Sequence, residues 1–363
     1  MIRFLQDLGA GINTALHMLA ALIMAVVLFP LLLVQEIAKR MGLGLTMYLT
    51  ESDVHIDVPL SNLAVAAFSQ GNLVADALFP PVPVDHRSDK YYTVTKADWL
   101  RLPQTTERGP KQSPRRIEWS VSSDSYFARN FALAAEATRE SLANADNAMQ
   151  IRRRNSLLVT SVLRRDMERR VALKCTSITN LGSGVALTGG NKWSAGATSD
   201  PIADVNTGHA FMRGNTGLTA NVAIIDYDTM VTLRRHPLML DMYKYTQGGQ
   251  VTDAQIAEQF RVQRILIADA VLENAKEGGT SSMTNMWGNI CLLAHVEPAQ
   301  SMNDVMTFGL GFRWTDPELG VPFGISTYAD PDPGKKIEIQ EASYYQDEKI
   351  VAQQLSYLVN NTL

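Results

Sequence analysis

The stretch AMQIRRRNSLLVTSVLRRDMERRVALK, residues 148–174, contains neither glycine nor proline. Asn144, Asp146 and Asn147 precede it, and their side-chain oxygens can cap the N-terminus of a helix. Apolar residues at four-residue spacing predict a buried helix face, formed by Leu158, Val162, Leu163, Met167 and Val171. The sequence therefore predicts one helix of about 40 Å, at a rise of roughly 1.5 Å per residue.

The polar side of this predicted helix is strongly basic. Its cations outnumber the acids of the stretch, Asp166 and Glu168. The basic residues are Arg152, Arg153, Arg154, Arg164, Arg165, Arg169, Arg170 and Lys174. Such a face is either a solvated or ion-paired surface, or a surface that meets nucleic-acid phosphates without reading bases. Both interpretations stay open from the sequence alone.

Upstream of the helix, a proline-rich segment leads into a long hairpin. Residues 79–84 read FPPVPV, and three prolines in four positions exclude helix and central strand, which predicts an edge segment. Alternating apolar and polar residues at 92–95 and again at 117–122 predict two paired strands. The intervening loop has a basic tip, and the notable side chains of the hairpin are Arg101, Arg108, Lys111, Arg115, Arg116 and Trp119. A ribbon of this length cannot bury both faces on its own chain, so we expect it to pack on a neighbouring chain.

The rest of the chain predicts a compact mixture of helices and strands. Residues 176–217 are rich in glycine, serine and asparagine and predict a loop-dominated connector. The further predicted elements are strands at 222–225, 264–272 and 289–296, and short helices at 227–235, 237–245 and from Thr252, whose capping box is completed by Gln255. Runs at 336–345 and 349–358 predict a pair of strands at the C-terminus.

Composition limits the function. The 363 residues are 46% hydrophobic and 19% charged, as in globular proteins, and the net charge of -4 leaves any attraction to nucleic acid to local patches. Two cysteines and six histidines offer little for disulfide or metal chemistry. The sequence has no phosphate-binding loop, dinucleotide turn, zinc-protease motif or nucleophile elbow. Asp226 and Asp228 suit a helix cap as well as an acid–base pair. We therefore expect no catalytic residues, no metal and no cofactor.

One segment breaks this average composition. Residues 15–34 read ALHMLAALIMAVVLFPLLLV, which has no charged residue and about the length that crosses a bilayer as a helix. Three interpretations stay open. The segment is a membrane anchor, an apolar arm buried in an assembly, or part of an upstream extension, with Met41 or Met47 as the start of the working protein.

The order of the sequence blocks is distinctive. The blocks are residues 79–101, 143–146 leading into the long helix, 222–245, 252–260, 264–278 and the predicted C-terminal strands. Together they closely resemble the major capsid proteins of tailed phages, which share the Hong Kong 97-like fold with encapsulin shells. The resemblance covers about residues 60–363.

The resemblance implies an α+β capsid fold with an N-terminal arm, an extended loop hairpin, a long spine helix, and peripheral and axial domains. The expected parts are an apolar N-terminal extension (1–46), the N-terminal arm (47–84), the extended loop (85–126), the peripheral domain with the spine helix (127–217), the axial domain (218–297) and a return to the peripheral domain (298–363). The implied function is structural: self-assembly through pentamers and hexamers into an icosahedral head enclosing double-stranded viral DNA. The implied location is the virion, after assembly in the host cytoplasm.

The resemblance also assigns roles to the basic patches. The hairpin side chains named above would contact a neighbouring subunit. The side chains expected to face packaged DNA, without sequence preference, are Arg152, Arg153, Arg154, Arg164 and Arg165. Separate scaffolding and portal proteins, and decoration proteins, are the other expected partners, and a membrane is not. The alternatives are an encapsulin-like compartment and, from another class, a membrane-anchored domain that uses residues 15–34.

Overall fold

The computed structural model describes most of the chain from residue 55 onward. The described residues are 55–56, 73–94, 102, 106–111, 113–114, 116, 121–144, 148–243, 251–276, 280–298, 306–315, 323–332 and 334–363. The apolar segment 15–34 lies outside them, as do Arg101, Arg115 and Trp119. Within these ranges, no helix combines the length and apolar character needed to cross a membrane.

The described chain contains helices and strands in mixed order. The helices are α1 (Ala75–Leu78), α2 (Arg139–Asn144), α3 (Ala148–Cys175), α4 (Pro201–Thr216), α5 (Tyr227–Arg234), α6 (Pro237–Tyr243) and α7 (Asp253–Gln259). The strands are β1 (His55–Ile56), β2 (Pro81–Val84), β3 (Ser88–Val94), β4 (Val121–Phe127), β5 (Arg129–Thr138), β6 (Gly184–Ala186), β7 (Val222–Asp226), β8 (Arg264–Ala268), β9 (Val271–Glu273), β10 (Met283–Asn285), β11 (Ile290–Ala294), β12 (Gly309–Trp314), β13 (Phe323–Ala329), β14 (Ile337–Ile350) and β15 (Ser356–Asn360).

Helix α3 confirms the predicted long helix. It spans 28 residues, one more than predicted, and ends at Cys175. Its buried row has strict four-residue spacing and consists of Val159, Leu163, Met167, Val171 and Cys175. The prediction was wrong for Leu158 and Val162, which are 58% and 39% exposed. Each precedes a member of the buried row by one residue, and about 100° of rotation per residue turns it away from the core.

Strand β14 is the centre of a six-stranded sheet. It is 14 residues long and pairs along one edge with β5 and along the other with β13 and then β12. The proline-rich β2 pairs in parallel with β12 at the edge of this sheet, which confirms the predicted edge segment. An edge strand tolerates proline because one side of its backbone needs no partner. Ala342 and Tyr344 of β14 pack in the same core as the buried row of α3.

The second sheet has five strands in the order β6-β15-β11-β7-β8 and is covered on both faces. Every residue of β7 and β11 is buried. Alternate residues such as Ile224 and Leu292 pack in the core that contains α3, whereas Ile225 and Leu293 pack against α4 to α7. Strands buried on both faces read as continuous apolar runs, which is why the sequence predicted them correctly.

The predicted hairpin is present as an antiparallel pair of strands, β3 and β4. Ser88 pairs with Phe127 at one end of the ladder, and Val94 pairs with Val121 at the other. At its base, Phe312 of β12 stacks on Tyr126 with ring centroids 4.6 Å apart, and Tyr91 lies 5.1 Å from the same ring. This small aromatic core fixes the ribbon to the edge of the six-stranded sheet.

Further predictions about the fold were wrong. The connector 176–217 is not loop-dominated, because its second half forms the 16-residue helix α4. The two C-terminal strands do not pair with each other. Strand β14 continues to Ile350 in the six-stranded sheet, whereas β15 lies between β6 and β11 in the five-stranded sheet. A three-residue 3-10 turn, Gln353–Leu355, carries the chain from one sheet to the other.

Candidate assembly surfaces and the basic helix face

The arginines of α3 divide into paired and exposed groups. Arg152 donates from Nε and Nη2 to the two carboxylate oxygens of Glu338 in β14, each at 2.7 Å. This bidentate ion pair fixes the start of the helix to the sheet. Arg164 is 7% exposed, and the carboxylates of Asp76 and Glu168 lie near its charge. The exposed arginines of the helix are Arg153, Arg154, Arg165 and Arg169. We call these four the basic face.

Apolar side chains interrupt the basic face. Leu158 is 58% exposed, Val162 39% and Leu173 64%. They lie on the same side of α3 as the exposed arginines, since the inward positions are taken by the buried row. The outward surface of the helix is therefore basic and partly apolar. A surface of this kind is suited to repeated macromolecular contact rather than to solvent alone.

Glu168 is a buried acid that joins three parts of the fold. Its carboxylate accepts hydrogen bonds from the backbone N–H of Val74 (3.1 Å) and Ala75 (2.9 Å) and from the indole N–H of Trp287 (2.7 Å). Burial raises the pKa of Glu168, and these donors offset part of that rise. The start of α1, helix α3 and the loop after β10 are thereby held together. The buried acid lies among exposed arginines in the sequence, so helical spacing alone did not identify its role.

A second ionic cluster closes the C-terminal half of α3 onto β14. Arg170 donates to Glu348 at 2.9 Å and to the Tyr344 hydroxyl at 3.0 Å, and its guanidinium lies 3.6 Å from the ring centroid of Phe131. Lys174 lies 3.2 Å from the same carboxylate. Although burial alone would raise the pKa of Glu348, its contacts with Arg170 and Lys174 lower that pKa below the usual value.

The tip of the ribbon is exposed where it is described. Arg108, Lys111 and Arg116 are exposed, and Lys111 has a positive φ of 69°. Leu102, on the same excursion, is 88% exposed. Within the described ranges, β3 and β4 form a two-stranded sheet, and beyond its aromatic base on β12 such a ribbon needs a further surface for stable packing.

Exposed apolar side chains also occur on other parts of the described chain. They form separate groups on the β4–β5 strands (Phe127, Leu133), on α5 and α6 (Tyr227, Leu240, Met242) and on the β9–β10 hairpin (Val271, Met283). Single exposed apolar residues are ordinary on a monomer, but several groups on different elements are typical of a subunit with several neighbours.

The one serine–histidine contact found within the described ranges does not have the geometry of a hydrolase. The Ser199 hydroxyl lies 3.0 Å from Nε2 of His236, and both residues are buried. The backbone N–H of Leu238 donates to Nδ1 of that ring, so the proton of the neutral imidazole is on Nε2 and is donated to Ser199. Because Nε2 carries the proton, the ring nitrogen that faces Ser199 has no free lone pair with which to take the serine proton.

The carboxylate pair in the sequence is a helix cap. Asp226 accepts the backbone N–H of Asp228 and of Thr229 and begins α5, as one of the two interpretations predicted. Asn285 also donates to its carboxylate. Both cysteines, Cys175 and Cys291, are buried and unpaired with each other.

Comparison with known proteins relates the chain to phage shells. No family model matches it. The chain is 24% identical over 316 residues to the major capsid protein of Pseudomonas phage JBD67, which covers 85% of this chain and 97% of that protein. It is also 30% identical over 115 residues to the major capsid protein of Burkholderia phage BcepMu, which covers 30% of this chain and 36% of that protein.

Solved structures show the same fold. A phage-related protein from Bordetella bronchiseptica has a TM-score of 0.67 and 23% identity, and the match covers 85% of this chain and 98% of that one. A chain of Microbacterium phage Oxtober96 has a TM-score of 0.50 and 11% identity, with 80% and 92% covered. These findings confirm the resemblance seen in the sequence: the chain is a relative of phage major capsid proteins and has the Hong Kong 97-like fold.

Proposed function

We propose that this protein is the principal shell subunit of a tailed-phage head. It self-assembles through pentamers and hexamers into an icosahedral capsid, and its role is structural rather than catalytic. The observation that carries the proposal is the relationship to the Pseudomonas phage capsid protein over 97% of that protein's length. A match of that extent concerns a whole subunit and not one transferable module.

The exposed surfaces support assembly of many copies. The ribbon of β3 and β4 needs a partner surface, and residues 85–126 are proposed to be the extended loop that lies on the next subunit. Its contact side chains would be Arg101, Arg108, Lys111, Arg115, Arg116 and Trp119. We further propose that residues 47–84 form the N-terminal arm. The other proposed parts are a peripheral domain at 127–217, with a return at 298–363, and an axial domain at 218–297.

The basic face of α3 is proposed to meet packaged double-stranded DNA inside the shell. Phosphate contacts of this kind need exposed cations and no base readout. We therefore retain Arg153, Arg154 and Arg165 from the residues predicted by sequence and add Arg169. Arg152 and Arg164 are engaged with carboxylates of the same chain, so their role is to stabilise the subunit.

The DNA proposal is tested by packaging. Alanine at Arg153, Arg154 and Arg165 together should leave the shell intact but reduce the length of retained DNA and its resistance to added salt. A matched triple variant at exposed cations elsewhere, Arg139, Arg235 and Lys276, controls for net charge. Full-length packaging with unchanged salt sensitivity in the basic-face variant would overturn the proposal.

The decisive experiment on function is particle formation. The purified chain is examined by electron microscopy and sedimentation, and its particles by the ratio of absorbance at 260 and 280 nm. Closed icosahedral shells support the proposal, and nucleic acid inside them distinguishes a phage head from an encapsulin-like compartment with protein cargo. Expression from Met47 tests the membrane-anchored alternative, because particles formed without residues 15–34 need no anchor.

Other partners follow from this role. We propose separate scaffolding and portal proteins, and decoration proteins on the outer surface. Assembly is proposed to occur in the host cytoplasm, and the mature protein to be located in the virion. Co-purification of particles from infected cells, followed by identification of the minor proteins, is the measurement that checks these partners.

A further inference from the structure

The exposed side chains of α3 are of only two kinds. Between residues 151 and 175 of the described chain, the exposed positions are Arg153, Arg154, Leu158, Val162, Arg165, Arg169 and Leu173. A helix face that meets only water usually also carries acids, amides or hydroxyl groups. The exposed positions of this stretch hold arginine and aliphatic residues instead, which favours contact with another macromolecule.

Five of these residues form one row along the helix. The row consists of Leu158, Val162, Arg165, Arg169 and Leu173, at successive separations of four, three, four and four residues. At about 100° per residue they lie within roughly 80° of the helix circumference, and a rise of about 1.5 Å per residue makes the row about 22 Å long. We call these five residues the outer row. Steps of three and four residues are the spacing at which one helix packs along another.

The apolar members of the outer row are not explained by contact with DNA. Leu158 and Leu173 are each more than half exposed. Phosphates are contacted by cations and hydrogen-bond donors, so a leucine gains nothing from the backbone of a duplex. Its carbon surface leaves water only against other apolar groups. The row therefore fits a protein partner better than a nucleic acid.

The arginines of the outer row lack a counter-charge from their own subunit. Arg165 and Arg169 take part in no ion pair among the described residues. The acids beside them in the sequence are engaged elsewhere, because Asp166 pairs with Arg170 and Glu168 is buried among its three donors. A partner with carboxylates beside its apolar side chains would complement both properties of the row.

The described helices of the chain provide no matching surface. Among them, α5 and α6 also expose large apolar side chains, but they are eight and seven residues long and span about 12 Å or less. A second copy of α3 would bring arginine against arginine. The apolar residues 15–34 contain no acid. These observations leave a different protein as the source of the partner.

We propose that the outer row docks an acidic amphipathic helix of a separate protein, laid along α3. Apolar side chains of that helix pack on Leu158, Val162 and Leu173, and its carboxylates pair with Arg165 and Arg169. Because these two arginines also belong to the basic face, the helix and packaged DNA would compete for them. Docking needs only the unassembled subunit, so the proposal does not depend on shell formation.

Binding of synthetic helices to the purified, unassembled full-length chain tests the proposal. The probe is a fluorescent peptide of about 20 residues, long enough as a helix to cover the row. Its leucines are spaced four and eleven residues apart, as the apolar residues of the row are, with glutamates between them. A second peptide has the same pattern in reverse order, so both directions of docking are tested. Fluorescence anisotropy measures the dissociation constant, and absence of binding by both peptides would overturn the proposal.

Variants locate the contact. Leu158→Gln combined with Leu173→Gln should unfold at the wild-type temperature, because both side chains are exposed. It should bind the peptide at least about tenfold more weakly, since two leucines no longer leave water. The matched control is Leu240→Gln combined with Met242→Gln on α6, which should bind the peptide as wild type does. Unchanged peptide affinity in the α3 variant would reject the outer row.

A charge exchange tests the ionic contacts. A peptide with lysine in place of each glutamate should not bind the wild-type subunit. It should bind when the subunit carries Arg165→Glu and Arg169→Glu, because opposite charges then face each other again. The same exchange at the exposed Arg139 and Arg235, which lie outside α3, should not create binding of the lysine peptide. Failure of the lysine peptide to bind the exchanged outer row would contradict the proposal.

A short DNA duplex separates the two candidate occupants of the face. It is titrated against wild type and against the double leucine variant. We expect the duplex to bind both equally, because phosphates do not need the leucines, whereas the peptide loses affinity. Binding of the duplex without binding of either peptide would assign the face to DNA alone and overturn the proposal. Shell formation by the same preparation is scored separately, so a failure of assembly cannot be confused with a failure of docking.

Discussion

The indole N–H of Trp287 donates to the carboxylate of Glu168 at 2.7 Å, and both side chains are almost completely shielded from solvent. The same carboxylate accepts the backbone N–H groups that open α1. The start of α1 is therefore held by one acid of helix α3. Because the three donors have no solvent nearby, each would be left unpaired if the acid were removed.

Removal of this acid should be costly. We expect Glu168→Ala to lower the free energy of unfolding by about 2–4 kcal/mol, since three buried donors lose their acceptor. Urea denaturation of the unassembled subunit measures the change. The exposed Glu258, changed to alanine, is the matched control and should stay within about 0.5 kcal/mol of wild type. Equal stability of the two variants would contradict the role assigned to Glu168.

The contact of Arg170 with Glu348 predicts a dependence of stability on pH. Because the folded protein lowers the pKa of Glu348 below its ordinary value of 4.5, the ionised form stabilises the fold above that pH. The contribution is lost as the pH falls through the lower, folded pKa. Glu348→Gln should therefore cost about 3 kcal/mol at pH 7 and progressively less below about pH 4.5.

Urea denaturation at several pH values checks this expectation. The quantity of interest is the difference in unfolding free energy between wild type and Glu348→Gln, since other groups titrate in both proteins. Exposed Glu136, changed to glutamine, is the control for loss of one carboxylate. A difference that stays constant from pH 7 to pH 3 would mean that ionised Glu348 does not stabilise the fold.

Two glycines of α4 provide an internal comparison of packing and helix propensity. A Cβ at Gly208 would lie 2.7 Å from Cδ1 of Leu293 and 2.8 Å from Cδ1 of Tyr357, whereas a Cβ at Gly214 meets nothing within 4 Å. Gly208→Ala should thus destabilise the subunit by about 1–3 kcal/mol through overpacking. Gly214→Ala should stabilise it by up to about 1 kcal/mol, as alanine favours helix. Thermal unfolding distinguishes the two signs, and stabilisation by both substitutions would refute the close approach.

The same helix shows where sequence patterns stop being informative. Its boundaries carry ordinary signals, with Asp200 as N-cap, Pro201 in the first turn and Gly217 in the left-handed conformation after the last turn. Its interior contains Gly208 and other weak helix formers, which suggested a loop. The glycine is required there by the approach of the five-stranded sheet, a contact that no local pattern encodes.

Strand partners were similarly hidden in the sequence. The elements β14 and β15 were recognisable as apolar runs, but the place of β15 in a different sheet depends on partners more than 60 residues away, such as Cys291 for Val359. The contact between α4 and the end of α7 has the same origin. His209 and Arg261 lie on segments about 50 residues apart, and the bond of His209 to the carbonyl of Phe260 brings them together. Local periodicity identified the spine helix and most strands, whereas tertiary contacts created the clefts and ion pairs.

The ribbon tip should control assembly without controlling folding. Glutamate at Arg108, Lys111 and Arg116 reverses three exposed charges at positions where the described chain shows no buried packing. We expect the subunit to unfold at an unchanged temperature but to form shells at least tenfold less efficiently, because like charges opposed across an interface cost several kcal/mol over repeated contacts. Sedimentation of assembly reactions gives the yield. The same reversal at Arg139, Arg235 and Lys276 separates an effect of the tip from one of net charge. Normal shells from the tip variant would place the extended loop outside the intersubunit contacts, since a reversed charge within such a contact cannot be neutral.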